Sequence, residues 1–147
     1  MATGVWHFIL GDAIRNLYVF GDQYVMSTSS RQLKPKISFF TPNLCDMELF
    51  LTYRFCKDLR WKEHLPLLTV TSMPPNMAKA AAGFSIEEDK DDYILIEDGS
   101  NSLRTGQLLD LLHFSYYCRL TPQYVFSALT EADGKPPFFL RNRFQER

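Results

Sequence analysis

The chain has 147 residues, 46% hydrophobic and 22% charged, with a formal net charge of -1. That length fits one domain with its own core, and a charge so near zero gives no global field toward nucleic acid or anionic lipid. Three cysteines are an odd number and too few for a secreted disulfide scaffold.

No apolar run approaches the roughly 20 residues of a membrane helix. Residues 1–10 lack the basic region and cleavage site of a secretion signal. The chain therefore reads as cytoplasmic, with no membrane segment. Twelve Phe, seven Tyr and two Trp imply a thick core and leave some rings for a partner-binding face.

The first third reads as strands. Val5 to Leu10 is a continuous apolar run, as in a strand covered on both faces. Gly11 to Asn16 reads as a turn, and Leu17 to Phe20 as a second strand of aromatic and β-branched residues. Gly21-Asp22 then predicts a two-residue hairpin loop of type II′, because glycine enters the required positive φ freely. That register places Val19 opposite Tyr24 and Tyr18 opposite Val25. Ser27 to Lys36 is polar and reads as a loop, followed by a short strand over Ile37 to Phe40.

Thr41-Pro42 predicts a helix start, with Thr as cap and Pro in the first turn. The helix should run to about Arg60. At 100° per residue Leu44, Met47, Leu51, Phe55 and Leu59 share a stripe, which predicts the core face. Asp46, Lys57 and Arg60 fall opposite, on the solvent side. Leu67 to Thr71 reads as a strand and Met77 to Ala82 as one or two helical turns closed by Gly83. Glu87 to Asp92 (EEDKDD) reads as a solvated loop.

Tyr93 to Glu97 reads as a strand ended by a turn over Asp98-Gly99-Ser100-Asn101. Gln107 to Leu120 predicts a helix apolar around most of its circumference, either deeply buried or at a subunit interface. Thr121-Pro122 starts a third helix reaching about Ala132. Phe138 to Phe144 reads as an edge strand. Together these predict a single α+β domain, 1–147, with a mostly antiparallel sheet of about five strands packed with two to three helices.

Few positions suggest chemistry. Cys45 and Cys56 lie about 16 Å apart along one predicted helix, too far for a disulfide or a shared metal. With Cys118 they read as buried small hydrophobes, and no metal or cofactor is expected. His7 reads as a ring at the core edge and His64 as a residue closing the first helix. Glu48 points into the apolar stripe, near the positive helix N-terminus.

Asp110, His113 and Tyr117, at i, i+3 and i+7, share one stripe of an otherwise apolar helix. A carboxylate beside an imidazole orients it and raises its pKa, which suits a general base. The plainer reading is that this stripe is the wet side of an amphipathic helix. Arg31, Lys34 and Lys36, and at the C-terminus Arg141, Arg143 and Arg147, form two basic clusters that read as solvated edges rather than a nucleic-acid footprint.

No nucleophile elbow, phosphate loop or dinucleotide fingerprint is present. By elimination, the chain reads as a non-catalytic protein-interaction or regulatory module acting through a protein partner. A small-molecule or enzymatic site on Asp110, His113 and Tyr117 is the alternative, and weak nucleic-acid binding a second one. The apolar surplus of the second and third helices, at Leu108, Leu112, Tyr116, Leu120, Phe126 and Leu129, predicts an interface with a partner or with a second copy in a homodimer.

Overall fold

The structure, a computed structural model, describes residues 2–10, 13–30, 33–71, 73, 77–98 and 104–140. Arg31, Arg141, Arg143, Arg147 and most of the turn predicted after Asp98 lie outside them.

The first half is a meander of β1 (Ala2–Leu10), β2 (Ala13–Phe20), β3 (Gln23–Ser30) and β4 (Leu33–Thr41). The Gly21-Asp22 loop forms as expected: Val19 faces Tyr24 and Tyr18 faces Val25. Gly21 sits at φ +62, the conformation a side chain would resist there. Within the expected polar loop over Ser27 to Lys36, residues 27–30 and 33–36 are instead strand, with Ser27 opposite Ile37 and Thr28 opposite Lys36. Backbone pairing needs no apolar side chain, so a Ser/Thr-rich segment continues the ladder once its neighbours have set the register.

The second half adds β5 (Leu68–Thr69), β6 (Phe84–Asp89), β7 (Asp92–Glu97), β8 (Arg104–Gly106) and β9 (Phe139–Leu140). Seven strands form one antiparallel sheet in the order β1-β2-β3-β4-β8-β7-β6, and β5 pairs with β9 in a small second sheet. This exceeds the five expected, because the second half of β6 lies in the acidic run and β8 is only three residues long. At Gly106 a Cβ would run into the Ser38 carbonyl and the Phe39 backbone, so only glycine lets β8 lie this close to β4.

Register aligns two rows across all seven strands. One reads Trp6, Leu17, Met26, Phe39, Gly106, Tyr93 and Glu88; its neighbour reads Val5, Tyr18, Val25, Phe40, Thr105, Ile94 and Glu87. Because successive side chains alternate, the rows face opposite sides.

The three helices are α1 (Leu44–Lys62), α2 (Leu108–Tyr117) and α3 (Pro122–Thr130). α1 and α2 both cover the Phe39 side. Phe39 stacks on Phe50 of α1 at 4.4 Å and tilts against Phe114 of α2 at 4.9 Å. α3 packs on α1, with Thr121 capping it through the Tyr124 N–H at 3.1 Å as its sequence predicts. Residues 77–82 form no helix; the Tyr116 hydroxyl donates to the Lys79 carbonyl and the Ala81 N–H to Ser115 Oγ, tying this segment to α2.

Two readings of α1 are corrected. Its N-cap is Asn43, whose side chain accepts from the Cys45 N–H at 2.9 Å. Thr41 ends β4, where its hydroxyl accepts from the Asn43 N–H and donates to Asp46. The core face is also rotated. Met47 of the expected stripe is buried, and Leu51 is half-buried against the core, but Leu44, Phe55 and Leu59 are exposed, while Asp46, Leu49, Phe50, Tyr53, Cys56 and Arg60 are buried. Glu48 and Cys45 are likewise exposed.

The rotation follows from polar groups that find partners inside. Asp46 accepts from Arg104 Nε at 2.7 Å. The Arg60 guanidinium donates to the carbonyls of Pro66, Leu129, Glu131 and Ala132, closing the C-terminal end of α3. There it supplies donors to helix-end carbonyls and a positive charge to the negative dipole end.

Candidate functional site

The stripe of Asp110, His113 and Tyr117 is brought together by the turn of α2, but it faces α1 rather than water. Asp110 pairs with Arg54 Nη1 at 3.3 Å. His113 Nδ1 meets the Tyr53 hydroxyl at 3.2 Å. Tyr117 stacks on Tyr53 with centroids 4.6 Å apart and is 0% exposed. The wet-side reading is therefore overturned. The spacing did identify one face, and that face is the α1–α2 contact.

A second ion pair adjoins it. Arg15 of β2 reaches Asp58 of α1 at 2.9 Å, with the arginine side chain 7% exposed. Arg15 and Arg54 thus alternate with Asp58 and Asp110 between β2, α1 and α2. Nothing in the sequence marks this pairing: Arg15 falls within the expected turn over Gly11 to Asn16, and Asp58 lies 43 residues further along the chain.

The electrostatics follow from burial. Desolvation pushes the Asp110 carboxyl above its usual range, against the pull of Arg54, Lys57 and Arg15. Desolvation, then the positive charges of Lys57 and Arg54, push His113 down to about 4. Burial raises both phenols, Tyr53 and Tyr117, and lowers the Arg15 guanidinium.

A ring with a pKa near 4 is a weak base at neutral pH. Asp110 does not orient that ring, because its carboxylate is held by Arg54. The Tyr117 hydroxyl is buried and has no hydrogen-bond partner among the described residues. What this arrangement does is join two helices and a strand at fixed angles. Among the described residues, no group of three or more His, Cys, Asp or Glu side chains is placed to hold a metal ion.

The residues expected at an interface divide. Leu112 and Leu129 are buried, 3% and 1% exposed, Leu129 within the main core cluster where α3 packs on α1. Tyr116 and Leu120 pack against that core half-buried. Leu108 and Phe126 are exposed, with Leu109 and Tyr124 beside them in sequence. Since α3 packs on α1, the expected joint surface of the second and third helices is not a single apolar stripe.

More apolar surface lies on the side of the sheet that carries no helix. Tyr18, Phe40, Ile94 and Ile96 are half-buried there, and Ile14, Phe20 and Ile37 are exposed. Val25 on this side is shielded yet stands outside the main core cluster. Alternation could have revealed this face, had the strand register been fixed across all seven strands.

Comparison with known proteins places this architecture. The solved structure of Rv3902c from M. tuberculosis is similar in fold, with a TM-score of 0.74 at 19% identity over 88% of this chain and 75% of that one. No curated protein matches the chain. Residues 3–137, which span the sheet, all three helices and the Arg15–Asp58 and Arg54–Asp110 pairs, match the family described as Immunity protein 61, and the chain belongs to that family, Imm61.

Proposed function

We propose that the chain is an immunity protein that disarms a protein toxin by binding it, with no chemistry of its own, in the cytoplasm of the cell it protects. The family match over residues 3–137 carries the reading. Two features support it. Among the described residues, the stripe with catalytic residue types is committed to the α1–α2 contact, and a broad apolar sheet face carries no helix. The cysteines, all free thiols, suit a reducing compartment.

Self-association through α2 and α3 would have to rest on Leu108, Leu109, Tyr124 and Phe126, because Leu112 and Leu129 are already inside the subunit. Where a toxin domain is encoded beside the gene for this chain, the test is co-expression with it. Growth of a bacterial host arrested by the toxin should resume when the chain is made. Arrest that persists despite soluble, folded chain contradicts the proposal.

A further inference from the structure

We propose that the helix-free face of the seven-stranded sheet is the docking surface, and that it takes a toxin surface on which apolar side chains are flanked by lysines and arginines. This rests on the toxin-binding reading above and adds to it a place and a chemistry.

The apolar part of the argument comes from register. An antiparallel sheet with one wet face ordinarily alternates apolar inward and polar outward. Here the outward row instead runs Tyr18, Val25, Phe40, Thr105 and Ile94 across five adjacent strands. Phe20, 58% exposed, and Ile14 lie on the same side of β2, and Ile37 on the same side of β4. Strand propensity favours such residues singly. It does not require them to run contiguously on the side without a helix, with Val25 and Thr105 shielded by their neighbours and Phe20, Ile14 and Ile37 exposed around them, and such a patch marks an interaction surface.

The choice of occupant comes from charge. The row ends on Glu87, and the same side of the β6–β7 hairpin carries Asp89 and Asp92. Residues 87–92 hold five carboxylates and one lysine in a chain whose total is only -1. None of the five carboxylates forms an ion pair with a described residue, whereas Glu97 of the same hairpin is taken by Arg104 and Arg119.

In the paired rows from β2 to β6 the register sets no lysine or arginine on this side. A face that is apolar in the middle and only acidic at its rim fits a basic protein surface. It repels phosphate backbones and a second copy's matching rim alike.

The probe is the toxin domain that the chain neutralises, carrying a substitution that abolishes its activity, and calorimetry gives the affinity. Ile94→Lys and Glu87→Lys should each weaken binding about tenfold or more, with melting temperature checked for both; Glu87 is exposed, so its variant keeps the fold. Phe126→Lys on α3 should bind like the parent. Raising salt from about 0.05 to about 0.3 M should slow association of the parent and matter less to Glu87→Lys.

Unchanged affinity in both face variants, or loss in Phe126→Lys alone, overturns the docking surface while leaving toxin neutralisation standing. A parent chain that neither binds nor protects overturns the functional reading itself. Light scattering that finds a dimer split by Ile94→Lys overturns the proposal in favour of a second copy.

Discussion

The two sides of the seven-stranded sheet are made by neighbouring residues of the same strands, yet they finish differently. On one side Met26, Phe39 and Leu95 are fully buried under α1 and α2, and the charges that enter find partners there: Asp46 with Arg104, Arg15 with Asp58, Arg54 with Asp110.

 On the other, Tyr18, Phe40 and Ile94 stand in an equally continuous row, and among the described residues no helix lies over them. The lesson is that pairing register sets the composition of both faces at once, while covering a face depends on whether a helix is long enough and correctly turned to reach it. α1 and α2 both land on the Phe39 side. On the proposal above, the open side is a finished surface whose complement lies in the toxin.

Substitutions should separate the sides by the size of their effect on stability. The largest effect is expected beneath the helices. Phe50→Ala empties the stack on Phe39 and should cost about 3–5 kcal/mol, a large part of a typical 5–15 kcal/mol; urea midpoints measure it. Arg60→Leu leaves four carbonyls without their donor and should cost about 2–3 kcal/mol by the same assay.

The His113 contribution depends on pH. The folded chain binds the proton near 4 and the unfolded chain near the ordinary 6.5. Stability is therefore full above pH 6.5 and is lost as pH falls from 6.5 toward 4. Asp110, its pKa raised, acts in the opposite sense, its contribution being lost as pH rises. Comparing the parent with His113→Gln isolates the ring: between pH 7.5 and pH 5 the parent should lose about 2 kcal/mol more than the variant. Equal losses would show that the ring is solvated in the folded state.

Smaller effects belong to the open side and its edges. Gly21→Val should lower stability by about 1 kcal/mol or more through the positive φ, and an unchanged melting temperature would contradict the observed turn. Glu87→Lys should change stability by no more than about 0.5 kcal/mol, despite its expected effect on binding. A large destabilisation there would mean that the acidic hairpin is part of the fold's support.

What could be read in the sequence was what local chemistry decides. The Gly21-Asp22 hairpin and the Thr121-Pro122 helix start need only a few adjacent residues, and both form where expected. α1 was legible as a helix but not in its orientation. Its exposed side carries Leu44, Phe55 and Leu59, and its buried side carries Asp46 and Arg60, so hydrophobic periodicity pointed the wrong way. The partners that permit this burial, Arg104 and the carbonyls after α3, lie 58 to 72 residues away along the chain.

The candidate site was legible in part. Spacing grouped Asp110, His113 and Tyr117 correctly, but their partners Arg54 and Tyr53 belong to α1, which only tertiary packing brings near. The acidic run was recognised as solvated. Its role as β6 was not, because charged strand residues carry no apolar alternation.

The most direct measurement is site-specific photocrosslinking to the inactivated toxin domain. Benzoylphenylalanine in place of Tyr18 or Phe40, on the open face, is compared with the same group in place of Phe126, on α3. The account predicts crosslinks from Tyr18 and Phe40 and none from Phe126. Crosslinks from Phe126 alone, with the open face silent while the complex is intact, would contradict it.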